Sequence, residues 1–200
     1  MNESTYINKR KSSGFMAYPD SEFQKALFKW PVHLWRLGLA PLLGKLMMLI
    51  THTGRKSGLP RRTMTECYRI NGGYYAPCAF GERAQWYMNI SADPRVTIQT
   101  AEGVQSSIAV RVTDDDEILA IMDAIQERSG AIYEMYLDLL ELRDDPEEIL
   151  AHKDRIYWFR FDPTEETTPP PLEADLAWVL PVAGLVLLGI IVAGLIKRRS

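Results

Sequence analysis

Short apolar segments bounded by turns run through the middle of the chain, as is typical of β-strands. Most are rich in β-branched and aromatic residues, and turn signals such as Asn71-Gly72-Gly73 and Asp93-Pro94 separate them. We therefore expect a small, mostly antiparallel barrel. The pattern predicts its five or six strands at 47–53, 62–70, 74–79, 96–100, 104–112 and 156–161.

Helical spacing of apolar residues occupies the stretches around these strands. It predicts a helix over 21–30, a short helix over 83–92 and a helix over 131–142. Another helix is expected to begin after the hydroxyl cap Thr113, where the acidic run 114–117 lies at the positive end of the helix dipole. Strands and helices together predict an α+β fold in which helices flank the barrel.

The C-terminal part of the chain has a different pattern. Residues 176–196 form an uncharged run of 21 residues, and as a helix this run would be roughly 31 Å long, enough to cross a bilayer's hydrocarbon core. We predict a transmembrane helix there, because a core helix of a small domain would keep a polar face. A Pro-rich acidic linker over 162–175 precedes it, and a basic tail over 197–200 follows it.

These segments predict the domain organisation: a flexible leader over 1–20, a barrel domain over 21–161, then the linker, the transmembrane helix and the tail. The basic tail favours the cytoplasm under the positive-inside rule, which would place the barrel domain on the other side. However, the N-terminal stretch has no apolar core of the kind a signal peptide needs. We therefore expect a single-pass C-terminal anchor with the barrel domain on the cytoplasmic side.

The net charge of −3 combines a basic and an acidic part of the chain. Residues 1–113 hold 15 Lys and Arg against 7 Asp and Glu, whereas residues 114–175 hold 5 against 19. No acid lies between Phe23 and Thr65, so this window suits an anionic partner: a phosphate group, a lipid surface or nucleic acid. The acidic part and the predicted membrane span argue against nucleic acid.

The few Cys and His residues limit the chemistry further. Two cysteines, Cys67 and Cys78, cannot form a disulfide framework, and the three histidines are too far apart in sequence to indicate a metal cluster. We therefore expect no metal site.

The sequence THTGRKSGLPRRT at 51–63 is the stretch most suggestive of a binding site. Gly54 and Gly58 permit backbone conformations that let amide groups approach an anion closely, and four cations follow within eight residues. Arginine's planar guanidinium matches phosphate and carboxylate oxygens, although the spacing is not that of a Walker A loop. A solvent-exposed basic turn is the alternative interpretation.

A second stretch, FGERAQWYMNISADP at 80–94, combines aromatic rings with an amide. Trp86 and Tyr87 could cover a planar heterocycle while Asn89 supplies directed hydrogen bonds. The alternative is that both aromatic side chains pack in the core, and spacing alone favours this.

Together and in this order, the two stretches resemble the deazaflavin-dependent nitroreductase family, also called coenzyme F420-dependent quinone reductases. The resemblance runs from about Leu49 to Val112, weakens towards Phe161, and rests on TxTGRKSGxPR followed by WYxNIxADPRVxI. It implies a split β-barrel of the flavin-reductase type, in agreement with the predicted strands, and coenzyme F420 as the cofactor.

The resemblance also implies roles for individual residues. Those matching the segments that hold the cofactor's phosphate-bearing tail are Arg55, Lys56, Ser57, Arg61, Arg62 and Thr63. Those on the strand lining the deazaflavin ring are Pro77, Cys78 and Ala79. Those at the helix start that completes the cofactor groove are Trp86, Tyr87 and Asn89.

Tyr133 and Tyr136 resemble tyrosines that the nitroreductase branch places over the substrate. The chain departs from that branch at two positions, since Ala79 stands in place of a serine and Phe80 in place of a lysine. These departures bear on nitro reduction and on the proton donor more than on the cofactor.

The resulting hypothesis is a membrane-anchored oxidoreductase that transfers a hydride from reduced F420 to a quinone, nitro or enone-type acceptor. Tyr133, Tyr136 or water would deliver the proton, with Tyr133 preferred. The expected partners are a small-molecule acceptor, including a membrane quinone, and membrane lipid. Two alternatives stay open: an oxidoreductase of the same fold using FMN or FAD, and a non-catalytic membrane-tethered protein that binds a cofactor or lipid.

Overall fold

Seven strands form a single antiparallel sheet in the computed structural model, which describes residues 32–175. The order across the sheet is β2-β1-β5-β6-β7-β4-β3, so the predicted antiparallel sheet is confirmed. The strands, in chain order, are β1 (Met47–Thr53), β2 (Pro60–Glu66), β3 (Tyr68–Ile70), β4 (Gly73–Pro77), β5 (Arg95–Thr100), β6 (Gly103–Arg111) and β7 (Trp158–Pro163).

The strand predicted over 62–70 is wrong as a single element. β2 pairs with β1, whereas β3 pairs with β4, so the chain changes its partner at Cys67. The amide of Cys67 donates to the carbonyl of Leu46, just before β1 begins. Two strands form because neither partner strand extends along the whole predicted length.

The sheet curls so that its two faces bury different sets of side chains, following the alternation along each strand. In β4, Tyr74 and Ala76 join the cluster inside the barrel, and Tyr75 between them joins a cluster outside it. The barrel closes between β2 and β4, where the hydroxyl of Thr65 donates to the carbonyl oxygen of Pro77 at 3.1 Å.

Helices cover the outside of this barrel. Within the described residues they are α1 (Ala40–Leu43), α2 (Gln85–Ala92), α3 (Asp115–Arg128), α4 (Gly130–Leu140) and α5 (Pro146–Ala151). We refer to α3, α4 and α5 as the helical layer; it buries Tyr68, Tyr75 and Trp158 of β3, β4 and β7. The predicted flanking helices are thereby confirmed for the described part of the chain.

Two details of the helical layer differ from the prediction. The cap of α3 is Asp114, whose Oδ1 accepts from the amide of Glu117 at 3.1 Å, so the predicted hydroxyl cap Thr113 is wrong. The sequence pattern also misses α5, because Ile149 is its one deeply buried residue and leaves no helical period to detect. Its signal is the Asp145 cap followed by Pro146 in the first turn.

Residues 164–175, which we call the strap, lie along the outer face of β5 and β6. The hydroxyl of Thr168 is 2.7 Å from that of Thr97 and 2.9 Å from that of Ser106. The side-chain amide of Gln99 exchanges two hydrogen bonds with the backbone of Leu172, at 3.0 and 2.7 Å. The predicted linker over 162–175 thus begins within β7 and continues as a segment bound to the sheet.

Several predicted segments lie outside the described residues: the leader over 1–20, the helix over 21–30, the transmembrane helix over 176–196 and the basic tail over 197–200. Between residues 32 and 175, no helix has the length and apolar character needed to cross a bilayer.

Candidate functional site

The connection between β1 and β2 (residues 54–59, the basic loop) is a tightly bonded turn. The amide of Gly54 donates to the carbonyl of Leu59 at 2.9 Å, and its carbonyl accepts from the amides of Ser57 and Gly58 at 3.0 and 2.8 Å. A Cβ at Gly54 would lie 2.8 Å from Ser57 Oγ, and Gly58 has a φ of +65°, so both positions favour glycine. The turn leaves the side chains of Arg55 and Lys56 exposed.

Helix α2 holds the basic loop through side-chain amides. Asn89 Oδ1 accepts from the backbone amide of Arg55 at 3.2 Å and from Arg55 Nη1 at 2.9 Å. Gln85 Oε1 accepts from both terminal nitrogens of the same guanidinium at 3.4 and 3.3 Å. Residues four apart share one face of a helix, so α2 presents two amide oxygens to a single arginine.

Asn89 also connects the loop to a buried histidine. Because its Oδ1 faces Arg55, its Nδ2 donates to His52 Nδ1, 3.1 Å away. Nδ1 is therefore unprotonated, and the ring carries its proton on Nε2, which lies 3.5 Å from Thr63 Oγ1. A continuous set of contacts thus joins Thr63, His52, Asn89, Arg55 and Gln85; we call it the loop network.

The charge state of His52 agrees with this arrangement. Its pKa is lowered to about 4, first by burial and second by the positive charge of Arg61, while a hydrogen bond with the Thr53 backbone opposes the shift. His52 is therefore neutral at pH 7, as its role of hydrogen-bond acceptor for Asn89 requires.

Arg61 and Arg62 lie on opposite faces of β2, because neighbouring residues of a strand alternate. Arg61 stands opposite His52, and its Nη2 is 3.5 Å from Ser57 Oγ. Arg62 stands opposite Thr51 and instead lines a cavity of about 410 Å³ beside the strap. Arg62 is thus separated from the other residues predicted to hold the tail, which the structure brings together: Arg55, Lys56, Ser57, Arg61 and Thr63.

Pro77, Cys78 and Ala79 lie where β4 ends. The Cys78 amide donates to the Tyr157 carbonyl at 2.7 Å, and its thiol, fully buried, donates to the Gly81 carbonyl at 3.4 Å. Burial raises the pKa of this thiol to about 12. Cys78 therefore offers its backbone to this part of the barrel and has no reactive thiolate.

Two aromatic residues, Trp86 and Tyr87, are predicted to complete the groove. Both pack against β7 or against the residue before it. Trp86 is buried and meets Phe159 edge-on, with ring centroids 5.3 Å apart. Tyr87 is partly buried and lies 5.8 Å from the rings of both Tyr157 and Phe159. These contacts fix the position of α2, and with it the position of Asn89.

Tyr133 and Tyr136 lie in the helical layer and belong to a different buried cluster from Trp86. Tyr133 donates to Asp144 Oδ1 at 2.6 Å, and the Tyr136 hydroxyl accepts from Trp158 Nε1 at 2.9 Å. Burial raises the pKa of both phenols. The structure does not bring them together with the loop network, and their catalytic role stays a prediction.

A larger cavity, of about 750 Å³, lies at the other end of β1, next to Lys45 and Leu46. Two of its cations are already stacked on tyrosine rings: Arg69 on Tyr74 and Arg128 on Tyr68. Arg128 also donates to the Cys67 carbonyl at 2.9 Å. Size alone would favour this cavity, but the basic loop offers the better anion site, because Arg55 is exposed and held by Asn89 and Gln85 and Lys56 beside it is also exposed.

Sequence reasoning missed His52 and Gln85. His52 has a detectable signal, because it occupies an inward position of β1 in step with Met48 and Ile50. A polar residue at such a position needs a buried hydrogen-bond partner. Gln85 has no comparable signal, since its role depends on where the basic loop meets α2.

Comparison with known proteins adds a family match. The model of the family described as F420H(2)-dependent quinone reductase matches residues 38–139. This range contains the basic loop, α2 and both tyrosines of α4. No curated protein matches the chain significantly.

Among solved structures, similarity is found to "F420-H2 Dependent Reductase (FDR-A)", at 21% identity over 59% of this chain and 95% of that one, with a TM-score of 0.45. HutZ, the heme storage protein from Vibrio cholerae, is 16% identical over 70% of this chain and 92% of its own, with a TM-score of 0.43. A conserved hypothetical protein from Mycobacterium tuberculosis is 15% identical over 74% and 82%, also with a TM-score of 0.43.

Proposed function

The chain belongs to the F420H(2)-dependent quinone reductase family and is an F420H2-dependent oxidoreductase; from this premise we propose that its basic loop, together with Arg61, binds the F420 tail and that its acceptor is a lipid-soluble quinone. The observation that carries the proposal is the fixed position of Arg55. Its backbone amide and guanidinium are both held by Asn89, which is itself held by His52. An arginine oriented in advance loses less entropy when it binds an anion.

The side chains at the basic loop fit an anionic cofactor tail. Arg55, Lys56 and Arg61 are exposed and can supply charge-assisted donors, and Ser57 supplies a hydroxyl 3.5 Å from Arg61. We propose that these four residues hold the phosphate-bearing part of F420. Thr63 contacts the ring of His52, which in turn accepts from Asn89.

When bound, reduced F420 supplies a hydride, two electrons at once. The work of this chain is then to orient that group and to keep water from the acceptor. We propose that the backbone of Pro77, Cys78 and Ala79 forms one wall of the groove, and that Trp86 and Tyr87 support α2 from inside the barrel. In this proposal the barrel is of the split, flavin-reductase-like type.

The acceptor and the location of the protein are proposed from the sequence. The uncharged run 176–196 would anchor the chain in a bilayer, where a quinone is concentrated. We propose the cytoplasmic side for the barrel domain, because the cofactor that the family implies is a cytosolic metabolite.

The test compares F420 with FMN. We expect purified protein to quench F420 fluorescence on binding and to bind FMN much more weakly. With F420H2 supplied, a water-soluble naphthoquinone should restore the absorbance of oxidised F420. With a long-chain quinone in vesicles, the full chain should restore it faster than a chain that lacks the uncharged run 176–196. Binding of FMN but not F420 would contradict the proposal. Binding of F420 without acceptor-dependent oxidation would indicate a carrier.

A further inference from the structure

The barrel has two ends, and different segments of the chain extend from each of them. The basic loop follows Thr53, the last residue of β1, and marks the loop end. β5 is antiparallel to β1, so its last residue, Thr100, lies near the start of β1. There the amide of Ala101 donates to the carbonyl of Gly44 at 3.0 Å. We call this second end, formed by residues 36–46 and 100–104, the strap end.

The strap follows β5 towards the strap end. Its contacts with Thr97 involve Thr168 and Pro169, and Leu172, further along, contacts Gln99. At the last described residue, the amide of Asp175 donates to the carbonyl of Arg36 at 2.8 Å. The described part of the chain therefore ends beside Arg36, immediately before the uncharged run 176–196 in the sequence.

Exposed apolar side chains are concentrated at the same end. Leu42 is 72% exposed and Leu46 is 60% exposed. Of the seven large hydrophobic side chains exposed among residues 32–175, four belong to the strap end: Leu37, Leu42, Leu46 and Val104. Isolated exposed leucines are ordinary on soluble surfaces, but a group of them beside a predicted membrane span is not.

The charges around these leucines suit a lipid headgroup region. Arg36 precedes Leu37 and Lys45 lies between Leu42 and Leu46, and both cations are exposed. Glu102, in the turn that follows β5, is already paired with Arg69 at 3.6 Å, and further exposed acids at this end are Glu173 and Asp175 of the strap. Leucines interspersed with basic residues are typical of segments that lie in the interface of anionic membranes.

We propose that the strap end is the face of the barrel that lies on an anionic bilayer, and that the bound strap fixes this orientation. The inference rests on the membrane anchoring proposed above. A free linker of the strap's length would allow displacements of roughly 20 Å in any direction. Bonds from Thr97, Gln99 and Arg36 remove that freedom. The basic loop then faces away from the lipid, towards water-soluble F420.

The test measures the depth of two exposed leucines in the full chain. Leu42→Cys at the strap end and Leu59→Cys in the basic loop are labelled with an environment-sensitive fluorophore. Cys67 and Cys78 are buried and their thiol pKa values are raised, so they should stay unlabelled. In vesicles of phosphatidylcholine and phosphatidylglycerol containing a lipid-borne quencher, we expect at least threefold stronger quenching at position 42 than at 59. Equal quenching, or stronger quenching at 59, would overturn the proposal.

A second variant tests the strap itself. Gln99→Ala removes both bonds to Leu172, and we expect it to halve the quenching at position 42 while the protein still floats with the vesicles. The matched variant Gln126→Ala changes an exposed glutamine of α3 and should leave the quenching unchanged. Unaltered quenching in Gln99→Ala would overturn the role of the strap. Oxidation of F420H2 by a water-soluble quinone, measured on the same samples, reports separately on the proposed function.

Discussion

The loop network and the helical layer both contain buried polar side chains, but they use them differently. In the loop network, Asn89 and His52 bind each other and hold Arg55, whose charged neighbours Lys56 and Arg61 point into solvent. In the helical layer, the hydroxyl of Tyr133 donates to the exposed Asp144 between α4 and α5, and that of Tyr136 accepts from the buried Trp158 of β7. We propose that the first arrangement positions groups for a ligand, whereas the second bonds one part of the fold to another.

This contrast distinguishes buried polar residues that serve a binding site from those that serve packing, which look alike in the sequence. Buried polar groups need hydrogen-bond partners in either case. In the loop network those partners lead to an exposed cation, whereas those of the two tyrosines are an acid and an indole of the same fold. The resemblance to the family assigns roles to both regions. The geometry supports binding at the loop network and favours packing for the tyrosines of α4.

The largest expected effect is the pH dependence that His52 gives to folding. The unfolded chain binds a proton at this residue below pH 6.5, whereas the folded chain does so only near pH 4. Stability from neutral His52 is therefore complete above pH 6.5 and is lost as the pH falls towards 4, by about 3 kcal/mol in total. Urea unfolding of the wild type and of His52→Asn between pH 7.5 and 4.5 measures this contribution to the free energy of unfolding. The difference between the two free energies of unfolding should shrink as the pH falls; a constant difference would exclude a buried neutral histidine.

The next effect is the loss of F420 affinity in Asn89→Ala. This substitution releases the guanidinium and backbone amide of Arg55 together and leaves His52 Nδ1 without its donor. We expect affinity to fall about thirtyfold, or about 2 kcal/mol. Gln85→Ala removes only the exposed contacts of Arg55 and should cost less than threefold. Fluorescence titration with F420 measures the affinity of both variants. Equal losses would contradict the proposal that Asn89 is the main residue holding Arg55.

A smaller loss is expected for single cations of the basic loop. Lys56→Ala removes one exposed charge that we assign to the cofactor tail, and affinity for F420 should fall about tenfold at low salt. The loss should diminish as salt is added, because screening weakens the same contact in the wild type. Lys153→Ala is the control, since the side chain of Lys153 is also partly exposed but bonds to the Thr113 carbonyl at 3.1 Å and pairs with Asp115 of α3 at 2.5 Å, away from the basic loop. Similar losses in both variants would point to a general charge effect.

The sequence carries much of the fold because most elements have a local signal. β1 matches its predicted bounds, and β5 and β6 match theirs within one residue. The change of partner at Cys67 has no local signal, since both halves of that stretch have strand character and only the position of β1 and β4 divides them. The binding of the strap to the sheet has no local signal either. A run of Pro, Thr and Glu is typical of a linker, and only the structure shows that Thr97 and Gln99 face it.

The candidate site is predictable in part for the same reason. The glycines and cations of the basic loop are adjacent in sequence, so their common role shows in the motif. The opposite directions of Arg61 and Arg62 follow from strand alternation, but only once the start of β2 is known. The link from Asn89 to His52 joins residues 37 positions apart and depends on how α2 packs against β1.

The smallest effect on activity is expected in the helical layer, where Tyr136→Phe sharpens the comparison with the loop network. The phenol accepts from Trp158 Nε1 in a buried cluster, so its removal should lower the free energy of unfolding by about 1 kcal/mol. Affinity for F420 and turnover with a water-soluble quinone should both stay within twofold, because this hydroxyl is bonded to Trp158 of β7 in a buried cluster that contains no residue of the loop network. Urea unfolding and steady-state assays on one preparation separate the two readouts. A loss of turnover of tenfold or more with unchanged F420 affinity would instead support the catalytic role implied by the resemblance, and it would mean that the helical layer opens during the reaction to bring this tyrosine to the acceptor.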